Sequence, residues 1–269
     1  MLILLPPSEG KTAPSSGAPL DLDSLTIPAL AGERRTVLGT LATVSALPDA
    51  VAALGVGASL EDEVRANVDL MQAPAAPGHR VYTGVLFDAL DYSSLSEGAR
   101  TRARQHTLVF SALFGATALG DRIPAYRLPI TAKLPGMGGL AAWWRPRITP
   151  ALDELSASTG VVVDCRSGGY AAQWKAPVET GVSVDVFQMR AGNRTVVSHF
   201  AKHTRGLVAR ILLEAGGRMV RSPQSAAETV AQAGSGSGPL ADEGHRWEVD
   251  LVPAAGKTPA KLQITLPED

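Results

Sequence analysis

A single cysteine, Cys165, in 269 residues excludes an internal disulfide and a cysteine-based zinc cluster, leaving only histidines and carboxylates as metal ligands. Long apolar runs are missing too. No stretch approaches the roughly 18 residues needed to cross a bilayer, and Met1-Leu-Ile-Leu-Leu5 is short and lacks the charged leader of a signal peptide. The expectation is therefore a cytoplasmic protein with no membrane partner. Net charge is nearly absent: 25 basic against 26 acidic side chains give −1, which carries no global signal for nucleic acid. What remains is an ordinary globular composition, 45% hydrophobic and 19% charged, with enough length to bury a substantial core.

The distribution of charge is less even than its sum. Arg102, Arg104, Arg122, Arg127, Lys133, Arg145 and Arg147 fall between positions 102 and 147 against one acid, Asp121. A second window, 190–221, sets seven basic residues against Glu214. If the two windows meet in space they build a basic cleft for an anion; if not, they are solvated arginines on opposite sides.

Periodicity and breakers predict a mixed α/β or α+β fold with no internal repeat, in one large domain or two small ones. Met1 to Leu5 reads as a buried strand broken by Pro6-Pro7, so that Ser8 and Lys11 stand in a loop just beyond a strand end. Residues 13–35 read as irregular connection, and Thr36 to Val51 as helical. His106 to Leu113 is a strand ending at Gly115; Gly160 to Asp164 is another, opening into Arg166-Ser-Gly-Gly169. Ser183 to Phe187 and Arg194 to Ser198 alternate as paired strands around Ala191-Gly-Asn193. Residues 225–233 form a helix, 234–238 a flexible joint, and 246–252 and 262–266 the last strands. Within 43–72, Leu54-Gly-Val-Gly57 between two helical stretches fits a helix-hairpin-helix, whose glycines let backbone N–H groups meet a phosphate. Glu61-Asp-Glu63 directly afterwards opposes that use.

From Ala201 onward an apolar stripe (Leu207, Val208, Ile211, Leu212) is interrupted by cations. Lys202 and Arg205, three apart, share one helix face, with His203 and Arg210 on its flank. Such a face grips phosphates or is simply solvated. His199 and His203 have the i, i+4 spacing of metal ligands but no third partner, so no metal is expected. Ser8 with Lys11, and Ser167 with Tyr170, follow strand ends, where α/β folds place ligands. Gly10-Lys11-Thr12 resembles the end of a P-loop, but its first glycine is missing because position 5 is Leu, and no cofactor is called for. Lys11 then reads first as an anion contact, and a Ser8–Lys11 nucleophile and base is the alternative. Tyr126-Arg127 either presents a ring and a guanidinium together, suited to a base and its phosphate, or is a buried tyrosine capped by arginine.

Four stretches together resemble the YaaA family, the peroxide stress proteins. They are Met1-Leu-Ile-Leu-Leu-Pro-Pro-Ser with Lys11; Val81-Tyr-Thr-Gly84; Ser111-Ala-Leu-Phe-Gly115 with Asp121 and Pro124-Ala-Tyr-Arg-Leu128; and Phe200-Ala-Lys-His-Thr-Arg-Gly206 with Arg210. The resemblance implies a compact single-domain α/β fold over 1–269 with a central mixed sheet, a place in the response to hydrogen peroxide, and DNA binding through a basic cleft and a helix-hairpin-helix. It settles no catalytic activity. The chain departs from the family pattern in a longer first loop, in Pro129 where an acid is common, and in the missing Glu between Ser167 and Tyr170.

Two functions follow. In the first, DNA lies in a cleft lined by Ser8, Lys11, Tyr126, Arg127, Ser167, Tyr170, Lys202, Arg205 and Arg210. In the second, the same cleft holds a nucleotide or other small anionic ligand on which the protein acts, with Lys11 or Lys202 stabilising charge and Asp121 or Asp164 as base.

Overall fold

The computed structural model describes residues 1–196, 199–235 and 246–268. Its core is an eight-stranded sheet. Seven strands run in the order Glu248–Val252, Ala260–Leu266, Gly181–Arg190, Val162–Asp164, Leu2–Leu5, Thr107–Ser111 and Gly115–Ala118, and Asn193–Val196 pairs with the far end of Gly181–Arg190. The five strands from Ala260–Leu266 to Thr107–Ser111 are parallel, and the outer pairs are antiparallel. Continuous apolar runs such as Leu2–Leu5, buried at every position, are what a parallel strand covered on both faces requires. The covering helices include Ala31–Ser45, Glu97–His106, Leu140–Ala157, His199–Ala215 and Pro223–Gly234. One hydrophobic cluster runs through both layers. The expected mixed α/β architecture with a central mixed sheet is what the chain forms.

Local differences have physical causes. The first covering helix starts at Ala31, not Thr36, because it follows directly on the short 3-10 turn Pro28–Leu30. Gly115 does not terminate a strand but opens the next one: at φ +73° it completes the turn that folds Gly115–Ala118 back on Thr107–Ser111. Residues 50–66 hold two short helices, Ala50–Leu54 and Glu61–Ala66, around Gly55 (φ +66°) and Gly57. The second of these helices begins with Glu61, Asp62 and Glu63, whose charge at the helix N-terminus disfavours a phosphate there. The sequence places a helix-hairpin-helix on this turn; its geometry here is that of two short helices with an acidic start. Of the expected joint 234–238, Gly234 ends the helix Pro223–Gly234, Ser235 bridges to Arg246, and 236–238 lie outside the described residues. Among the described residues, no helix is long and apolar enough to cross a membrane.

The position of the site follows from unequal strand lengths. Val162–Asp164 pairs only with Gly181–Ser183, whereas Gly181–Arg190 continues for seven more residues. Among the described residues the flank over 184–186 is thus left without a strand beside it until Asn193–Val196 pairs from Phe187 onward. This notch lies beyond the carboxyl ends of Leu2–Leu5 and Val162–Asp164, where Pro6–Ser8 and Cys165–Ser167 leave the sheet.

Candidate functional site

A cavity of 680 Å³ occupies the notch. It is of ordinary size for a small-molecule site. Ser8, Glu9 and Gly10 enter it from the loop after the first strand, and Ser167, Gly168 and Tyr170 from the loop after its neighbour. Asp185 and Val186 come from the unpaired strand flank and Phe187 from its end, Thr83 to Phe87 from the short helix Val85–Leu90 and its approach, and Ala201, Lys202 and Arg205 from the helix His199–Ala215. Five residues singled out in sequence therefore meet here: Ser8, Ser167, Tyr170, Lys202 and Arg205.

Each is held differently. The Ser8 hydroxyl donates to the Gly10 carbonyl (2.5 Å) and accepts from the Thr83 amide (3.1 Å), which fixes the loop instead of activating a nucleophile. Gly84, at φ +88°, turns the chain from Thr83 into the helix Val85–Leu90, which explains the glycine of the Tyr-Thr-Gly stretch. Arg205 donates through Nε and Nη2 to the Val184 carbonyl (3.1 and 3.0 Å), a backbone acceptor on the strand flank with no neighbour. Lys202 is exposed, and no hydrogen bond or ion pair holds it among the described residues. Burial pushes the Tyr170 phenol well above its ordinary range, so that it stays protonated.

Lys11, Tyr126 and Arg127 lie behind the cavity wall. The Lys11 ammonium donates to the carbonyls of Ser8 (2.7 Å) and Glu9 (3.4 Å) and sits 4.2 Å from the centre of the Tyr126 ring. The Tyr126 hydroxyl donates to Ser111 Oγ (2.9 Å) and pairs with the Tyr82 hydroxyl (3.2 Å). Arg127 is buried: it donates through Nε to Glu63 (2.9 Å), with a second, closer contact from Nη2, and through Nη1 to Glu9 (3.2 Å). The pair Tyr126-Arg127 is thus a buried tyrosine beside an ion-paired arginine, not a ring and guanidinium presented at the surface. Arg210, partly exposed, is bonded to the Leu90 and Asp91 carbonyls (3.2 and 3.1 Å) and does not line the cavity.

The two candidate bases lie elsewhere. Asp121 accepts from the Thr26 amide and hydroxyl (both 2.9 Å) and from the Ala118 amide (3.0 Å). Asp164 is clamped by the Arg166 guanidinium (2.8 and 2.6 Å). Neither lines the cavity. Cys165 is buried, and desolvation pushes its thiol up to about 12, which leaves it inert.

Nor do the basic windows face each other across this space. Arg102 is bonded to Leu213, Arg104 to Tyr92, Arg122 to Ala75, Arg145 to Ala172 and Arg147 to Trp143. The charged side chains on the cavity wall are Glu9, Asp185, Lys202 and Arg205, two of each sign. Sequence reading missed Glu9, Thr83, Phe87, Asp185 and Phe187. The Tyr-Thr-Gly stretch was the one signal among them, and the others are unremarkable in sequence because the unequal strand lengths bring them together. No group of three or more potential ligands that could hold a metal ion exists among the described residues.

Comparison with known proteins places these features in company. A family model described as "Peroxide stress protein YaaA" matches residues 1–226. A UPF0246 protein of Streptomyces coelicolor is 42% identical over 271 residues, covering 100% of this chain and 99% of the relative. A UPF0246 protein of Corynebacterium efficiens is 40% identical over 260 residues, covering 94% of this chain and 100% of its own length.

Proposed function

The chain belongs to the family of peroxide stress protein YaaA, and from that premise we propose that it serves in the response to peroxide by binding a small anionic ligand, of nucleotide size, in the cavity at the sheet notch. The observation that carries this reading is the convergence of Ser8, Ser167, Tyr170, Lys202 and Arg205, from three separate elements, on one 680 Å³ space. Lys202, without a hydrogen bond or ion pair among the described residues, is a cation for the anionic group, and Arg205 adds a second from a fixed position. Pro6, Pro7, Phe87 and Phe187 offer apolar surface for a flat ring. The balanced wall charge suits a ligand with one anionic end better than a polyanion.

Thermal denaturation with nucleoside monophosphates and inorganic phosphate is the direct test. A ligand at a hundred times its dissociation constant stabilises by about 2.7 kcal/mol, which raises the melting temperature by roughly 5–10 °C in a chain of this size. Lys202→Ala should abolish the rise without lowering the unliganded melting temperature. Absence of any rise at millimolar concentrations of these compounds would remove the reading. DNA is the second reading, favoured by the exposed Lys202 on the cavity wall.

A further inference from the structure

The two acids on the cavity wall are each matched by a cation that does not line it. Asp185 Oδ2 stands 3.5 Å from Lys261 Nζ, and Glu9 Oε2 stands 3.2 Å from Arg127 Nη1. Neither carboxylate has another hydrogen bond or ion pair among the described residues. An acid already matched in charge gains little from a further cation, and its spare lone pairs suit neutral O–H donors. The two are not equally placed. Glu9 stands on a loop with its side chain 68% exposed, whereas Asp185 is 34% exposed and fixed in the strand Gly181–Arg190. Alternate residues of a strand share a face about 7 Å apart, so Asp185 and Phe187 stand side by side, and both line the cavity. The Arg194 guanidinium backs the Phe187 ring at 4.7 Å from its centre. On the other side of Asp185, Arg205 grips the carbonyl of Val184. A cation, a carboxylate and an aromatic ring therefore follow one another along a single strand.

We propose that the cavity selects a ribonucleoside 5′-monophosphate, laid along this strand with its phosphate at Arg205 and Lys202, its vicinal ribose hydroxyls donating to Asp185, and its base against Phe187. The phosphate rests on the cavity reading given above; the sugar is the new assignment. The order of groups on the strand is the order of groups on the nucleotide. Asp185 is then a specificity-determining residue: it accepts from both hydroxyls through a carboxylate whose charge Lys261 offsets, so that the acid does not repel the neighbouring phosphate outright. A deoxy sugar leaves that acceptor without its donor in a cavity partly shielded from water, which is how a site built around a hydroxyl rejects the analogue lacking it.

Calorimetric titration of the whole protein with the four common ribonucleoside 5′-monophosphates identifies the tightest, and its 2′-deoxy and 3′-deoxy forms are then titrated in the same buffer. Each deoxy form is expected to bind about tenfold or more weakly, as the loss of a hydrogen bond to a charged acceptor implies. Asp185→Ala should bring the ribose and deoxy forms to within about twofold of each other, while the deoxy forms bind at least as well as before, since they never engaged the carboxylate. A variant merely loosened by the change would weaken all three alike and keep the ratio, which overturns the role of Asp185. Equal affinity of ribose and deoxy forms for the unmodified protein overturns the sugar assignment and leaves the cavity reading standing. No binding by any of the four at millimolar concentration removes both. O-phosphoethanolamine, an anion with an ammonium in place of the diol, is the counter-probe: tighter binding by it than by the ribonucleotides assigns Asp185 to a cation and overturns the proposal. The comparison among ligands uses the unmodified chain, so it decides the matter even where an Asp185 variant does not fold.

Discussion

Arg34 is completely buried in the helix Ala31–Ser45, and its guanidinium donates to four backbone carbonyls: Thr26 (2.6 Å), Ala116 (2.9 Å), Phe114 (3.1 Å) and Ile27 (3.2 Å). Burial draws it down to about 10, so it is still a cation at neutral pH. Asp121 completes the arrangement by fixing Thr26 and Ala118 around it, which gives this acid a bracing role at the place where sequence suggested a base. Replacing Arg34 with Met leaves four acceptors unpaired inside the fold, and the expected loss is about 3–5 kcal/mol. Arg35, exposed and paired only with exposed Asp23, should cost under about 1 kcal/mol on the same change. Urea denaturation of the two variants decides it, and equal losses would refute the assignment. Sequence could not single out Arg34, since two of its acceptors lie 80 or more positions away and an arginine on an amphipathic helix ordinarily points to water. Lys202 and Arg205 were legible because their spacing alone fixes their common face.

At the scale of elements, the cavity depends on how closely two helices cross. Gly206 sits where His199–Ala215 meets Val85–Leu90: a Cβ there would stand 2.2 Å from the Leu86 carbonyl oxygen and 2.8 Å from Ala89 Cβ. That contact accounts for the glycine following Arg205 in the Lys-x-x-Arg-Gly pattern. Gly206→Ala must push the helices apart, and since Leu86 and Phe87 form one wall of the cavity and Lys202 and Arg205 another, it should also weaken ligand binding. Overpacking of this kind costs roughly 1–3 kcal/mol, against a helix-propensity gain of about 1 kcal/mol. Gly39, inside Ala31–Ser45 with nothing within 4 Å of its missing Cβ, supplies the control: Gly39→Ala should stabilise by about 0.5–1 kcal/mol. Matching gains at both sites would show that the crossing yields. The strong periodicity of the longer helix was readable in sequence; the six-residue partner was not, because its length is below what a helical pattern needs to declare itself. The notch was hidden for a related reason, as strand lengths depend on pairing and not on the strand's own residues.

For the whole molecule, the decisive quantity is where its cations are committed. The chain carries −1 overall, and no cation of the window 102–147 lines the cavity, so the positive charge at the notch comes from Lys202 and Arg205. A nucleic acid gripped by six to ten phosphate contacts loses about 10³–10⁵ in affinity between 50 and 200 mM salt. A ligand held at the notch by Lys202 and Arg205 engages at most two cations, and the same change of salt should weaken it by no more than roughly 3–12-fold. Length then becomes the test. A mononucleotide and a twenty-residue oligonucleotide of the same base should bind within about tenfold of each other at 150 mM salt, both with a shallow salt slope, because the cavity admits one unit and two cations line its wall. Calorimetric titration at three salt concentrations gives both quantities. An oligonucleotide slope several times that of the mononucleotide would place the working surface outside the cavity and return the protein to nucleic-acid binding, with Lys202 as one contact among many.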